Sequence, residues 1–418
     1  MNKTRWSPGS GKDRLEIAQS RIAEDAALAH AFTQVFAPVE ASVSESSLTG
    51  ALVSVKDLFD VEGYVTRAGT TFMQGDDAAS ADASVIHKLR QAGGLLVGHT
   101  NMTELAYSGL GLNPHYGTPA NALIPDCIPG GSTAGGAVSV ATGVADIAIG
   151  TDTGGSLRIP AAFNGITGFK PSQSHVSRDG CKTLSYSLDS VGPMAVDVTA
   201  CKLAFDIMRS SAAGQQATTN PVFVIPSNFG MDDLDDTVAK GFEQAVQLLS
   251  RKGFRIATRH FKVLESLKTL AIWQFAAVEG RAAYDDAYVA SQNLFDPRIA
   301  SRLARADEVN AVSYRKTLNH RIQLTRQFAD DLHDAVLLMP TAPIRPPTFS
   351  QVADDDAYTR INLQVLRNPS IANVMDGCSI SLPFQYDDMP IGIMLTAPNN
   401  HDDWLLAQAL DCERALSS

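Results

Sequence analysis

The sequence predicts an α/β fold built as one large domain, and three observations lead there. Short apolar runs, Ala51–Val55, Leu95–Gly98, Ala145–Gly150 and Val336–Met339, have the length and composition of buried strands. Segments with helical spacing of apolar residues alternate with them, the arrangement that gives a sheet covered by helices. No repeat and no linker divides the 418 residues. A chain of this length could hold two domains, but the expectation here is one domain spanning 1–418.

Taken in order, residues 1–12 read as disordered and Lys12–Val35 as a helix, with Leu15, Ile22 and Phe32 among its apolar positions. Ala51–Val55 alternates as a strand and closes at Lys56. Asp82–Gly98 reads as a helix followed by the strand Leu95–Gly98. Residues 129–136 form a glycine-rich loop, Ala137–Val144 a small-residue helix and Ala145–Gly150 a buried strand. A second glycine loop follows at Asp152–Ser156, and Pro160 suits the first turn of the next helix. Further helices are expected at Val198–Met208, Asp232–Arg251, Leu264–Ala290 and Val312–Asp334. Pro221–Ile225 reads as a strand, and Val336–Met339 as a strand stopped by Pro340. Ser210–Asn220 and Ile344–Asp356 read as polar loops.

Composition is that of an ordinary globular enzyme: 44% hydrophobic and 19% charged residues. A formal net charge of −11 argues against nucleic acid or an anionic membrane as the main partner. The start, MNKTRWSPGSGKD, has no apolar core for a signal peptide, and no apolar run reaches membrane-spanning length. The five cysteines, Cys127, Cys181, Cys201, Cys378 and Cys412, are odd in number and widely spread. They read as reduced thiols of a cytoplasmic protein. No HExxH or CxxC pattern suggests a metal, and no cofactor is expected.

The chemistry concentrates in residues 129–171, which hold ten of the chain's 31 glycines. Ser132 and Ser156 sit in two glycine loops joined by one helix and one strand. A serine nucleophile needs open approach for a carbonyl carbon and backbone N–H groups aimed at the developing oxyanion. Thr153-Gly154-Gly155-Ser156 offers consecutive N–H groups close to a helix N-terminus. Glycine loops before helices also cradle phosphates, but neither GxxxxGK[ST] nor GxGxxG occurs. Lys56, closing an apolar strand, is either a snorkelling surface lysine or a buried one with a task. His115 reads as a loop or packing residue, since no GxSxG elbow exists. Cys181 is a conceivable nucleophile without an evident histidine partner.

The motifs GGSTAGG, DTGGSLRIPA and GFKPS, with VSVKDLFDVEG before them, resemble those of the amidase signature family. The likeness runs from about Leu52 to the C-terminus, with its core at 52–200, and Asn373–Pro383, Ile391–Leu395 and a last helix at Asp402–Leu416 complete the pattern. The resemblance implies a mixed central β-sheet flanked by helices. It implies Ser156 as nucleophile, Ser132 as a bridging serine after a cis peptide bond, and Lys56 as the base. Thr153, Gly154, Gly155 and Ser156 would supply the oxyanion hole. Met102, Tyr107, Gly131, Arg158 and Cys181 would border the substrate, although Arg158 by itself reads as structural. In the first loop Thr133, Ala134 and Ala137 depart from the usual GGSSGGS. The implied activity is hydrolysis of a carbon–nitrogen bond in a small amide, ureide or carbamate through an acyl-enzyme, with a homodimer as the family-based expectation. The alternatives are an ammonia-releasing A-type subunit of a tRNA-dependent amidotransferase and a non-catalytic glycine-loop binding protein.

Overall fold

Eleven strands join in one mixed sheet in the computed structural model, which describes residues 6, 11–38, 46–210 and 220–417. The strands are β1 (Phe32–Val35), β2 (Leu52–Lys56), β3 (Leu95–Thr100), β4 (Ile147–Asp152), β5 (Thr167–Lys170) and β6 (Ser190–Ala195), then β7 (Val222–Pro226), β8 (Arg255–Arg259), β9 (Ala335–Pro340), β10 (Cys378–Tyr386) and β11 (Met389–Ala397). Their order across the sheet is β1-β3-β2-β4-β6-β5-β10-β11-β9-β7-β8. Strand β2 runs parallel to both β3 and β4, and β7 parallel to β8 and β9; the remaining pairs are antiparallel. The single α/β domain with a mixed sheet is therefore observed as expected.

All five residues of β2 and all six of β4 are buried. That agrees with their β-branched and small composition, because a strand with parallel neighbours is covered on both faces. The helix Ala134–Ala141 lies against β2, β4 and β6. Its small residues are what permit the approach: a Cβ on Gly136 would stand 3.2 Å from Met194 on β6 and 3.3 Å from the Ala148 Cβ on β4. The Ser54 and Ser139 hydroxyls meet at 2.8 Å between this helix and β2.

Several boundaries differ from the sequence reading. The helix expected over Lys12–Val35 spans only Gly11–Glu24. Asp25 then caps a short 3-10 turn by accepting from the Ala27 N–H at 2.9 Å, and Phe32–Val35 becomes β1, paired antiparallel with β3. The open edge of β3 takes these residues as a strand, and tertiary pairing overrides their helical spacing. Of the stretch read as disordered, Gly11 and Lys12 open the first helix, and most of the rest lies outside the described residues; so does nearly all of the loop expected at Ser210–Asn220. The helix expected over Leu264–Ala290 is two, Lys262–Leu267 and Trp273–Ser291, separated by turns. Apolar residues on both sides of that break keep similar spacing, so periodicity does not reveal it.

A helix at Asp355–Leu366 follows the loop expected over Ile344–Asp356, capped by Asp354, which accepts from the Ala357 N–H at 2.9 Å. Strands β10 and β11 form a hairpin through Asp387 and Asp388, both left-handed at φ 53° and 59°. Two such residues make the tight turn that fits strand twist. The last helix spans Asp402–Leu416 as expected.

Candidate active site

Parallel strands β2 and β4 end side by side, in register Val55↔Ile149. Ligand sites of such sheets lie at the carboxyl ends of the strands. Lys56, the last residue of β2, is 0% exposed. Its Nζ lies 2.7 Å from Ser132 Oγ and 3.0 Å from Thr151 Oγ1 on β4. Burial without a carboxylate in contact disfavours the ammonium and lowers its pKa to about 7, against the opposing pull of Asp189 and Asp152.

Ser132 follows a cis peptide bond from Gly131, as the family resemblance implied. The Gly131 N–H donates to the Gly109 carbonyl at 2.8 Å, and the Thr103 N–H to the Ser132 carbonyl at 3.2 Å. Across the site, the Thr133 N–H donates to the Ser156 carbonyl at 3.3 Å, which brings the two glycine loops together. A Cβ on Gly131 would stand 2.5 Å from the Gly111 nitrogen, so this position is closed by backbone.

The loop Thr153–Ser156 turns sharply after β4, with Gly155 at φ +135°, a conformation that side chains oppose. Asp152 sets the turn: its carboxylate accepts from the Gly155 N–H at 2.7 Å and the Leu157 N–H at 3.2 Å. Gly155 is thereby engaged by Asp152 and differs from its neighbours in the expected oxyanion hole. Among the described residues the N–H groups of Thr153, Gly154 and Ser156 have no protein acceptor. A Cβ on Gly154 would meet only Leu366 and Ser370, at 3.5 and 4.0 Å, so space is open in front of it.

Arg158 lies beneath this loop. Its Nε and Nη2 donate to the two Asp152 oxygens at 3.0 and 2.9 Å. It also donates to the Pro369 carbonyl at 2.7 Å and Asn373 Oδ1 at 2.8 Å, and more weakly to Ser379 Oγ and Met394 Sδ. Burial works against the Asp152 carboxylate, but the Arg158 guanidinium outweighs it and holds the pKa at about 2. Asn373 returns an N–H to Asp152 Oδ1 at 2.9 Å and another to the Asp152 carbonyl at 2.7 Å. On the other side Thr153 donates its hydroxyl to Asp189 Oδ1 at 2.5 Å.

With that geometry in view, comparison with known proteins decides the family. The sequence model of the family described as Amidase matches residues 18–406. The chain belongs to the amidase family. Family membership places it among enzymes that hydrolyse amide carbon–nitrogen bonds. The chain is 33% identical over 382 residues to 2-amino-5-chloromuconic acid deaminase of Comamonas testosteroni, covering 88% of this chain and 81% of that one. It is 31% identical to Amidase 1 of Arabidopsis thaliana, covering 88% and 94%. A solved amidase structure superposes with a TM-score of 0.83 at 27% identity, covering 96% and 95%.

Within this amidase fold, Lys56 Nζ meets Ser132 Oγ, the Thr133 N–H ties that loop to the Ser156 carbonyl, and the five residues expected at the substrate divide. Tyr107 and Cys181 stay partly exposed. Tyr107 precedes the Gly109 carbonyl that holds Gly131, and its hydroxyl is pushed up to about 12 by burial. Burial also raises the Cys181 thiol well above its usual range, which removes the thiolate a nucleophile needs. Met102 is fully buried in the main core cluster and Gly131 is enclosed. Arg158, also expected at the substrate, has its guanidinium buried and bonded to Asp152, Asn373 and Pro369, a structural engagement. His115 is held by Glu104 Oε2 at 3.0 Å, a packing role as read.

Reasoning from sequence missed Thr151, Asp152, Asp189 and Asn373 as parts of this site, as well as Lys170. Lys170 ends β5, is fully enclosed, and donates to the Gly377 and Pro171 carbonyls at 2.7 and 2.9 Å. Burial, then the Arg158 charge, lowers its pKa to about 8. The GTDTGGS, GFKPS and LDSVGP stretches contain four of these residues, but nothing local gives their partners. The buried Arg158–Asp152 pair yields an expected result. Arg158→Met should cost about 3–5 kcal/mol of stability, because it leaves Asp152 charged and uncompensated. Urea unfolding checks this; a loss under about 1 kcal/mol would show the pair to be dispensable.

Proposed function

We propose that the chain is a free-standing amidase acting on small amides, ureides or carbamates through Ser156, Ser132 and Lys56. The observation that carries the reading is the 2.7 Å contact of a fully buried lysine amine with Ser132 Oγ, in a loop bonded directly to Ser156. With Lys56 neutral, its lone pair takes the Ser132 hydroxyl proton while Ser132 takes that of Ser156. Ser156 Oγ adds to the substrate carbonyl. The oxyanion is received by the N–H groups of Thr153, Gly154 and Ser156, which need no reorganisation to meet it. The proton then returns from Lys56 through Ser132 to the leaving nitrogen, the C–N bond breaks, and water hydrolyses the ester on Ser156. Neither metal nor cofactor enters these steps.

Work in the cytoplasm fits five cysteines that are all unpaired. Among the described residues no helix is long and apolar enough to cross a membrane. The test is ammonia release by purified protein, without ATP or an added protein, over aliphatic amides, aryl amides, ureides and carbamates. The Comamonas relative's name adds 2-amino-substituted muconic acids to that panel. Turnover of at least one class is expected. Ammonia appearing only with a partner protein and ATP would overturn the free-standing reading.

A further inference from the structure

Asp189, one residue before β6, is a buried acid with an unusual set of neighbours. Its carboxylate accepts the Thr153 hydroxyl at 2.5 Å on one oxygen, and the Leu184 and Ser185 N–H groups at 2.9 and 3.0 Å on the other. It is 4% exposed. No Lys, Arg or His among the described residues forms an ion pair with it. The titratable and charged groups that face it are Lys56, Cys181, Tyr284 and Arg178. Lys56 in turn feels Cys181, Asp189 and Asp152. The acid therefore touches the first residue of the oxyanion loop and acts electrostatically on the proposed base.

We propose that Asp189 is a positioning residue for this site: through the Thr153 hydroxyl it orients the oxyanion loop, and its negative charge stabilises the ammonium that Lys56 becomes as Ser156 is acylated. This rests on the Ser156–Ser132–Lys56 reading. Thr153 has one free rotor, and a charged acceptor at 2.5 Å fixes it. Fixing the side chain holds the backbone that carries the unbonded Thr153 and Gly154 N–H groups. The second role follows from charge. Proton transfer creates a cation in an enclosed site, where a nearby anion counts far more than it would in water. Burial pushes the Asp189 carboxyl up to about 6 against the pull of its three hydrogen bonds and of Arg178. Its carboxylate form predominates above about 6, the side on which Lys56, at about 7, loses its proton.

The experiment follows labelling of Ser156 by a fluorophosphonate as a function of pH, together with kcat and KM on whichever amide is turned over. In the wild-type protein the labelling rate should rise with pH to a plateau. Asp189→Asn should lower the plateau roughly tenfold or more, the scale of a misplaced reacting geometry. It should also move the midpoint roughly half a unit or more to lower pH, because Lys56 has lost one of the anions that favour its charged form. The loss should fall on kcat rather than KM. Thr153→Val should lower the plateau without that shift, and Thr153→Ser should recover most of what the valine variant loses. Asp189→Asn with the wild-type plateau and midpoint would overturn the inference. If Asp189→Asn does not fold, Thr153→Val labelled as fast as wild type would overturn it instead. Wild-type protein labelled elsewhere than Ser156 would bring down the underlying reading and this inference together, an outcome distinct from failure in the variants alone.

Discussion

Lys56→Arg is expected to lose activity as severely as Lys56→Ala, although arginine preserves the positive charge. The reason is the proton. Lys56 is held at about 7 by burial, so at neutral pH a large fraction is already the free amine, whereas a guanidinium stays protonated and cannot accept from Ser132. Both variants should slow acylation on the order of 10²–10⁴-fold, the usual weight of positioned general-base help. The sign of the pH dependence follows from the same group. In the wild-type enzyme the rate should be low below pH 7, where Lys56 is an ammonium, rise through about 7 as it loses its proton, and level off above. Lys56→Ala should lack that rising limb in whatever activity remains. Steady-state kinetics over pH 5–9 with each variant provide the check. Near-normal turnover in Lys56→Arg would reduce Lys56 to an electrostatic prop and end the relay through Ser132.

Ser156→Ala is expected to remove turnover by about 10⁴-fold or more, since loss of a covalent nucleophile leaves only binding and oxyanion stabilisation. Ser156 and Ser132 both lie in glycine loops, but their surroundings differ. Ser132 Oγ is already bonded to Lys56 Nζ at 2.7 Å. Ser156 Oγ has no partner among the described residues, and its own N–H stands beside those of Thr153 and Gly154. Peptide mass spectrometry after fluorophosphonate treatment should therefore find the adduct on Ser156. An adduct on Ser132, or substantial turnover by Ser156→Ala, would reverse the two serines' roles.

Much of the site was legible because it is written locally. A glycine loop, a small-residue helix and a buried strand occupy consecutive residues between Ser132 and Ser156, and their backbone chemistry follows from residue size alone. Lys56 stood out because an apolar strand ending in a cation is a conflict that needs resolving. Thr153–Asp189 and Asp152–Asn373 were not legible, since their members lie 36 and 221 residues apart. The role of Arg158 was open for the same reason: position after a nucleophile does not say whether a guanidinium points to substrate or to a buried aspartate.

The sequence by itself determined the α/β class, the burial of β2 and β4 and the two serine loops. In each of these, periodicity, residue size and turn chemistry agree over a short span. Only the tertiary structure decided that Phe32–Val35 leaves the first helix to pair with β3, that Asp387-Asp388 turns the β10–β11 hairpin, and that Asp152 takes the Gly155 N–H of the Thr153–Ser156 loop. These depend on which distant groups arrive within about 3 Å. A hydrogen bond or a strand edge is satisfied by whatever the fold brings to it, and local preference, worth ~1 kcal/mol or less per residue, yields to that.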